Sequence, residues 1–171
     1  VVTKIFNGGA LELGWVESTF GIGIIIGGVL LSVWGGFKRR IVTSFLGIIG
    51  IGIAIVSIGF VPANMFYLLL AANFLIGFSQ VFANGPLQAI FQSSVAPEMQ
   101  GRVFSLLSAG ATAMMPIGLL IAGPLSDLVG IRFWYIFGGS VCVLMAIAAT
   151  FSSAIMNIET NNKESAATAA T

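Results

Sequence analysis

The chain has no histidine, one cysteine and few charges, with seven Lys or Arg and six Asp or Glu among 171 residues and a net charge of +1. Each shortage excludes something. Cys142 lies alone in the middle of an apolar stretch, and no two acids share such a stretch. Metal ligands, a nucleophile paired with a base, an intramembrane aspartyl dyad and a disulfide are therefore all missing, so no enzyme and no cofactor are expected. The Gly-rich segments lack the lysine of a phosphate-cradling loop, and nothing supports nucleic-acid binding. A charged fraction of 8% is far below the roughly one quarter typical of a water-exposed fold. Most of the molecule's outside must face lipid.

What remains is long apolar runs. Uncharged stretches cover 18–37 (20 residues), 41–97 (57), 103–126 (24) and 133–158 (26). A helical crossing takes about 20 apolar residues, so three stretches hold one span each. The 57-residue stretch, broken by Pro62-Ala63-Asn64, holds two. The expected spans are Trp15 to Trp34, Ile41 to Val61, Met65 to Ala89, Val103 to Pro124 and Phe133 to Met156. They must be helices, because hydrocarbon satisfies no backbone N–H or C=O and the runs are far longer than barrel strands. The fold class is thus an all-α membrane protein with five transmembrane helices. It divides into an outer loop remnant (1–14), a transmembrane bundle (15–156) and a disordered cytoplasmic tail (157–171) poor in apolar residues. With Val1 in place of Met and no cleavable leader, the chain is expected to be a fragment.

Loop charges set the orientation. Lys38, Arg39, Arg40, Arg102 and Lys163 follow spans one, three and five, whereas only Lys4 and Arg132 lie on the opposite side. The N-terminus is expected outside and the C-terminus in the cytoplasm of a multi-pass inner-membrane protein. Glycines recur at close spacing within spans: Gly23 with Gly27 and Gly28, Gly47 with Gly50 and Gly52, and Gly118 beside Gly123. Such spacing lets helix backbones approach, so spans one and four are expected to be packing faces.

Polar residues inside the spans are the candidate sites. Asn73, Gln80, Asn84, Gln88 and Gln92 fall along one slowly winding face of the third span, beside Pro86. Amides facing lipid are costly. This face therefore looks either into a watered cavity, with Asn73, Gln80, Asn84 and Gln88 as substrate candidates, or onto another helix that it holds by hydrogen bonds. Glu17 is the acid nearest a span's hydrocarbon end. It is either a proton carrier or cation partner, or a wet carboxylate in a first helical turn. Lys38, Arg39 and Arg40 close the first span as a topological lock, with a lipid-binding basic patch as the other reading. Asp127 and Arg132 are expected to meet across a tight turn.

Three segments carry a resemblance. Gly28-Val-Leu-Leu-Ser32-Val-Trp-Gly35-Gly36-Phe-Lys38-Arg39-Arg40 resembles the loop signature between the second and third helices of each half of a major facilitator superfamily transporter, with Ser32 where an acid is usual. Pro97-Glu98-Met99-Gln100-Gly101-Arg102-Val103-Phe104-Ser105 is similar to the loop before that family's eleventh helix. Gly123-Pro124 with Asp127, Gly130 and Arg132 is similar to the turn before its twelfth. Within the family the chain is most similar to the macrolide and multidrug efflux branch, over about Gly8 to Glu159. The resemblance implies helices eight to twelve of a twelve-helix transporter, with Val1 to Leu11 ending the outer loop after helix seven. It also implies alternating access and export of a small amphipathic substrate driven by protons. The partners would then be the lipid bilayer and the N-terminal half of the same transporter, against which spans one and four would pack, with the principal proton-carrying acid in that half. From the residues alone, a non-transporting membrane scaffold or subunit assembling through Gly-rich helix faces remains the alternative.

Overall fold

The computed structural model describes residues 9–37, 39–62, 64–95 and 97–151, without the side chains of Ser93, Ser94, Pro97 and Asp127. Lys38 and the tail 157–171 lie outside the described residues. Five helices follow one another: α1 (Ala10–Trp34), α2 (Arg40–Phe60), α3 (Phe66–Ser94), α4 (Pro97–Val129) and α5 (Ile131–Thr150). All five are long and apolar enough to cross a membrane, and no strand occurs among the described residues.

Helix ends depart from the sequence expectation by up to six residues, α3 for instance running to Ser94 rather than Ala89, and three of the departures have a local reason. First, α1 begins at Ala10 rather than Trp15, because Glu12 reaches back and its Oε2 accepts the Gly9 N–H at 2.8 Å, satisfying a donor that a helix start leaves free. Second, α4 begins at Pro97, since proline at a first helical position lacks only an N–H that would have no helical partner. Third, α4 runs through Pro116 and Pro124 to Val129, so the turn before α5 shrinks to Gly130, whose φ of 91° suits a residue without Cβ. At about 1.5 Å per residue the 33 residues of α4 extend beyond a hydrocarbon core about 30 Å thick.

Packing centres on α3, which lies against α1 and α2, while α2 also packs against α5. Glycine makes these approaches close. A methyl group added at Gly27 of α1 would lie 2.8 Å from the Phe78 carbonyl oxygen of α3, and one at Gly47 of α2 would lie 2.7 Å from the Phe82 carbonyl carbon. One at Gly139 of α5 would lie 2.7 Å from the Gly52 carbonyl oxygen. Where lipid tails are as apolar as leucine, such van der Waals contact is what holds helices together. Two clusters fill the spaces between helices: Val16, Ile58, Val61, Leu69 and Ala72 near one end, and Ile41, Phe45, Ile90 and Ala146 near the other.

The packing face expected of span one is present at Gly23 and Gly27, which meet α3 of this chain, while Gly28 meets nothing. The fourth span differs. Gly118 and Gly123 have nothing within reach of an added methyl, no residue of its apolar window is buried, and α4 touches the bundle mainly through a few residues of α5.

Gly138 and Gly139 offer a test on one helix, because an added methyl at Gly138 meets nothing. Gly139→Ala is expected to lower stability in detergent by about 1–3 kcal/mol through overpacking, while Gly138→Ala is neutral or slightly stabilising. Equal thermal unfolding curves for the two variants would refute this packing.

Candidate functional site

The flanks of α3 decide where its amides point. Phe74, Gly77 and Phe78 meet α1, whereas Ser79, Phe82 and Ala83 meet α2. With about 100° between successive residues, Gln80 and Asn84 are left on the side that neither neighbour covers. Gln80, Asn84, Gln88 and Gln92 are all exposed, while Asn73 is half-buried. The expected face is thus a ladder of four exposed amides with Asn73 at its upper end. Asn73 Nδ2 donates to the Leu69 carbonyl at 2.9 Å, and Asn84 Nδ2 donates to the Gln80 carbonyl at 3.0 Å. Each amide thereby satisfies a donor on its own helix.

Pro86 is buried between Asn84 and Gln88. It has no N–H to give the Phe82 carbonyl, which weakens the helix at the level of the amides. Below it, Gln100 at the start of α4 reaches back, its Nε2 donating to the carbonyls of Gln92 at 2.9 Å and Val95 at 3.1 Å. The last turn of α3 is thus tied to α4.

A wide cleft lies elsewhere. About 800 Å³ opens among α2, α3 and α5, lined by Ile53, Phe60, Leu68, Leu75 and Val143 with Ser57 and Ser140 as polar groups. Ser57 Oγ is committed to the Ile53 carbonyl at 2.8 Å. None of the amides lines this cleft.

Glu17 is exposed on α1, and the first-turn position foreseen for it belongs to Glu12. Its neighbour Val16 packs with Leu69 and Ala72, and Gln80 follows Ala72 by eight residues, about 12 Å along the helix. The structure thus sets Glu17 apart from Gln80, Asn84, Gln88 and Gln92, whereas Asn73 follows directly on Ala72.

The turn after α1 is built from backbone constraints. Ser32 Oγ donates to the Gly28 carbonyl at 2.8 Å, and Gly35 N–H donates to the Leu31 carbonyl at 2.8 Å. Gly35 and Gly36 take φ of 76° and 77°, which a side chain would strain. The Phe37 N–H then donates to Thr43 Oγ1 at 2.9 Å. Arg39 and Arg40 are exposed beyond it. At the other end of the bundle Arg132 Nη2 donates to the Val61 carbonyl at 3.4 Å, joining α5 to the end of α2. The expected contact with Asp127 falls on a side chain outside the described residues. Among the described residues no three His, Cys, Asp or Glu side chains gather as a metal site. Cys142 Sγ lies 3.8 Å from the Ile48 carbonyl as a weak donor.

The profile of the family described as Major Facilitator Superfamily matches residues 1–170. Macrolide efflux protein A of Streptococcus pyogenes is 30% identical over 154 residues, covering 90% of this chain and 38% of that protein. The protein of the same name from Enterococcus faecalis is 35% identical over 114 residues, 67% of this chain and 35% of that protein. Multidrug efflux pump Tap of Mycolicibacterium fortuitum is 28% identical over 156 residues, 89% and 37% of the two chains. The chain thus spans less than two fifths of the length of these curated relatives. No solved structure matches it.

Cysteine accessibility tests the amide face. In the intact protein on a Cys142→Ala background, Gln80→Cys and Asn84→Cys are expected to react with a membrane-impermeant maleimide, and Ser79→Cys, at a position 5% exposed, is not. Failure of both amide positions to react would place that face against lipid or protein.

Proposed function

The chain belongs to the Major Facilitator Superfamily, and on that premise we propose that it is part of a secondary active transporter exporting small amphipathic molecules by antiport with protons. The relatives it matches are named as macrolide and multidrug efflux proteins, which supports export as the direction. The observation that carries the reading is the exposed ladder of Gln80, Asn84 and Gln88 on α3. These amides offer donors and acceptors without charge, on a helix otherwise made of apolar residues. That combination suits a substrate with a large apolar body and scattered carbonyl or hydroxyl groups.

Alternating access of this kind needs a second body against which the bundle rocks. The N-terminal half of the same transporter is the proposed partner, and the uncovered α4 supports it. Among the acids whose side chains are described, Glu12, Glu17 and Glu98 lie near helix starts or exposed, which supports a principal proton carrier in that half. Glu17 is the candidate that this chain offers. The proposed orientation puts the start of α1 outside and the end of α5 in the cytoplasm, with Arg39, Arg40 and Arg102 on the cytoplasmic side.

Two experiments check this. Alkaline phosphatase fused after Asn64 is expected to be active and after Val95 inactive; the reverse pattern inverts the topology. In cells carrying the intact gene, Gln80→Ala with Asn84→Ala is expected to lower dye or macrolide efflux roughly tenfold, as two lost hydrogen bonds would, while Ser57→Ala in the apolar cleft leaves it unchanged. Unaltered rate and selectivity in the double variant would remove the amide face from the pathway.

A further inference from the structure

The turn between α1 and α2 combines two features that the transport reading does not use. The first is a small pocket of about 200 Å³ under the turn, lined by Trp34, Phe37, Thr43, Leu46, Phe78 and Phe82. Its walls are aromatic and mutually braced: Trp34 and Phe37 meet edge-on with ring centroids 4.8 Å apart, and Phe78 and Phe82 lie 5.0 Å apart. Trp34, Phe37 and Leu46 remain 45–50% exposed, so the pocket opens sideways rather than into the bundle. The second feature is charge. Arg39 and Arg40 are exposed. Arg40 opens α2 one helical turn before Thr43, and Arg39 precedes it as the extended N-cap residue. Both thus follow closely on Phe37 and lead into Thr43, two residues of the pocket lining. No Asp or Glu occurs between Glu17 and Glu98, and the Ser32 hydroxyl is spent on the Gly28 carbonyl. The start of α2, with no side-chain cap, adds the partial positive charge of a helix N-terminus.

We propose that this turn binds one anionic phospholipid, its phosphate held by Arg39 and Arg40 and the first part of an acyl chain lying in the aromatic pocket. Guanidinium groups match phosphate oxygens two at a time. An apolar pocket directly beneath them reproduces the order of a lipid molecule, charge above and hydrocarbon below. A free phosphate would leave the pocket empty, and a zwitterionic lipid would bring its own cation against the arginines. The stretch 35–37 is held before binding, because Gly35 and Gly36 set its path and the Phe37 N–H donates to Thr43. Little ordering cost is then left for the complex. The proposal does not depend on what the protein transports.

The test uses the intact protein that contains this chain, purified in mild detergent and titrated with phosphatidylglycerol or with phosphatidylcholine of the same acyl chains, bound lipid being read by native mass spectrometry. Phosphatidylglycerol is expected to be retained about thirtyfold more tightly, from about fivefold per arginine. The preference should vanish in Arg39→Gln with Arg40→Gln. Excess inorganic phosphate should not displace the lipid. A second measurement needs no loss of charge: phosphatidylglycerol brominated in its acyl chains should quench a component of tryptophan fluorescence that Trp34→Phe removes. Equal retention of the two lipids, a preference unchanged in the double arginine variant, displacement by phosphate alone, or quenching that Trp34→Phe leaves intact would each overturn the proposal.

Discussion

Hydrocarbon offers a peptide group no hydrogen-bond partner, and the architecture of this chain follows from that one constraint. It makes every span a helix, and it also governs the polar side chains within the spans. Ser32, Ser57, Asn73, Asn84 and Thr112 each donate to the carbonyl four residues earlier on their own helix. A hydroxyl or amide that turns back in this way spends its donor locally and stops competing for partners. Among the described residues no buried side-chain nitrogen or oxygen lacks a hydrogen bond. Polarity is therefore available to a ligand only where several such groups line one exposed face, as on α3, or where a span ends.

The same solvent changes what exposure means. In water, a helix such as α4, with Leu106 and Leu120 about three-quarters exposed, would mark an interface or an aggregation hazard. In lipid that surface costs little, because acyl tails are as apolar as leucine. What separates α4 from α1, α2 and α3 is thus close backbone approach rather than hydrophobicity. Glycines at Gly27, Gly47, Gly52, Gly77 and Gly139 face neighbouring backbones or side chains at contact distance, and those of α4 do not.

The sequence made the spans legible because charge-free runs of bilayer length have one stable outcome. It made the amide face legible because a four-residue spacing is a property of the helix itself. Helix ends were less legible. Pro97 lay before the expected fourth span and Pro124 at its end, yet the first starts α4 and the second lies within it. The first-turn position that the sequence left open to Glu17 belongs to Glu12, whose carboxylate accepts the Gly9 N–H. Tethers such as Thr43 to Phe37, Gln100 to Val95 and Arg132 to Val61 carry no sequence signature, since each joins segments whose proximity is decided by packing. Glycine spacing said that backbones can approach, without saying which ones do.

One helix ends up with two duties. Its flanks, at Gly77, Phe78, Ser79, Phe82 and Ala83, are fitted to α1 and α2 so tightly that even a methyl at Gly77 has no room, so changes there are felt as loss of folding. Its third side carries Gln80, Asn84 and Gln88, whose side chains are exposed and fit no neighbour. Substitution on that side alters the chemistry a ligand meets while leaving the packing intact. Helical periodicity thus separates the residues that build the bundle from those that packing leaves free, within a single run of twelve residues from Gly77 to Gln88. Under the proposed function, this arrangement would make a permissive and readily altered recognition surface at little cost in stability.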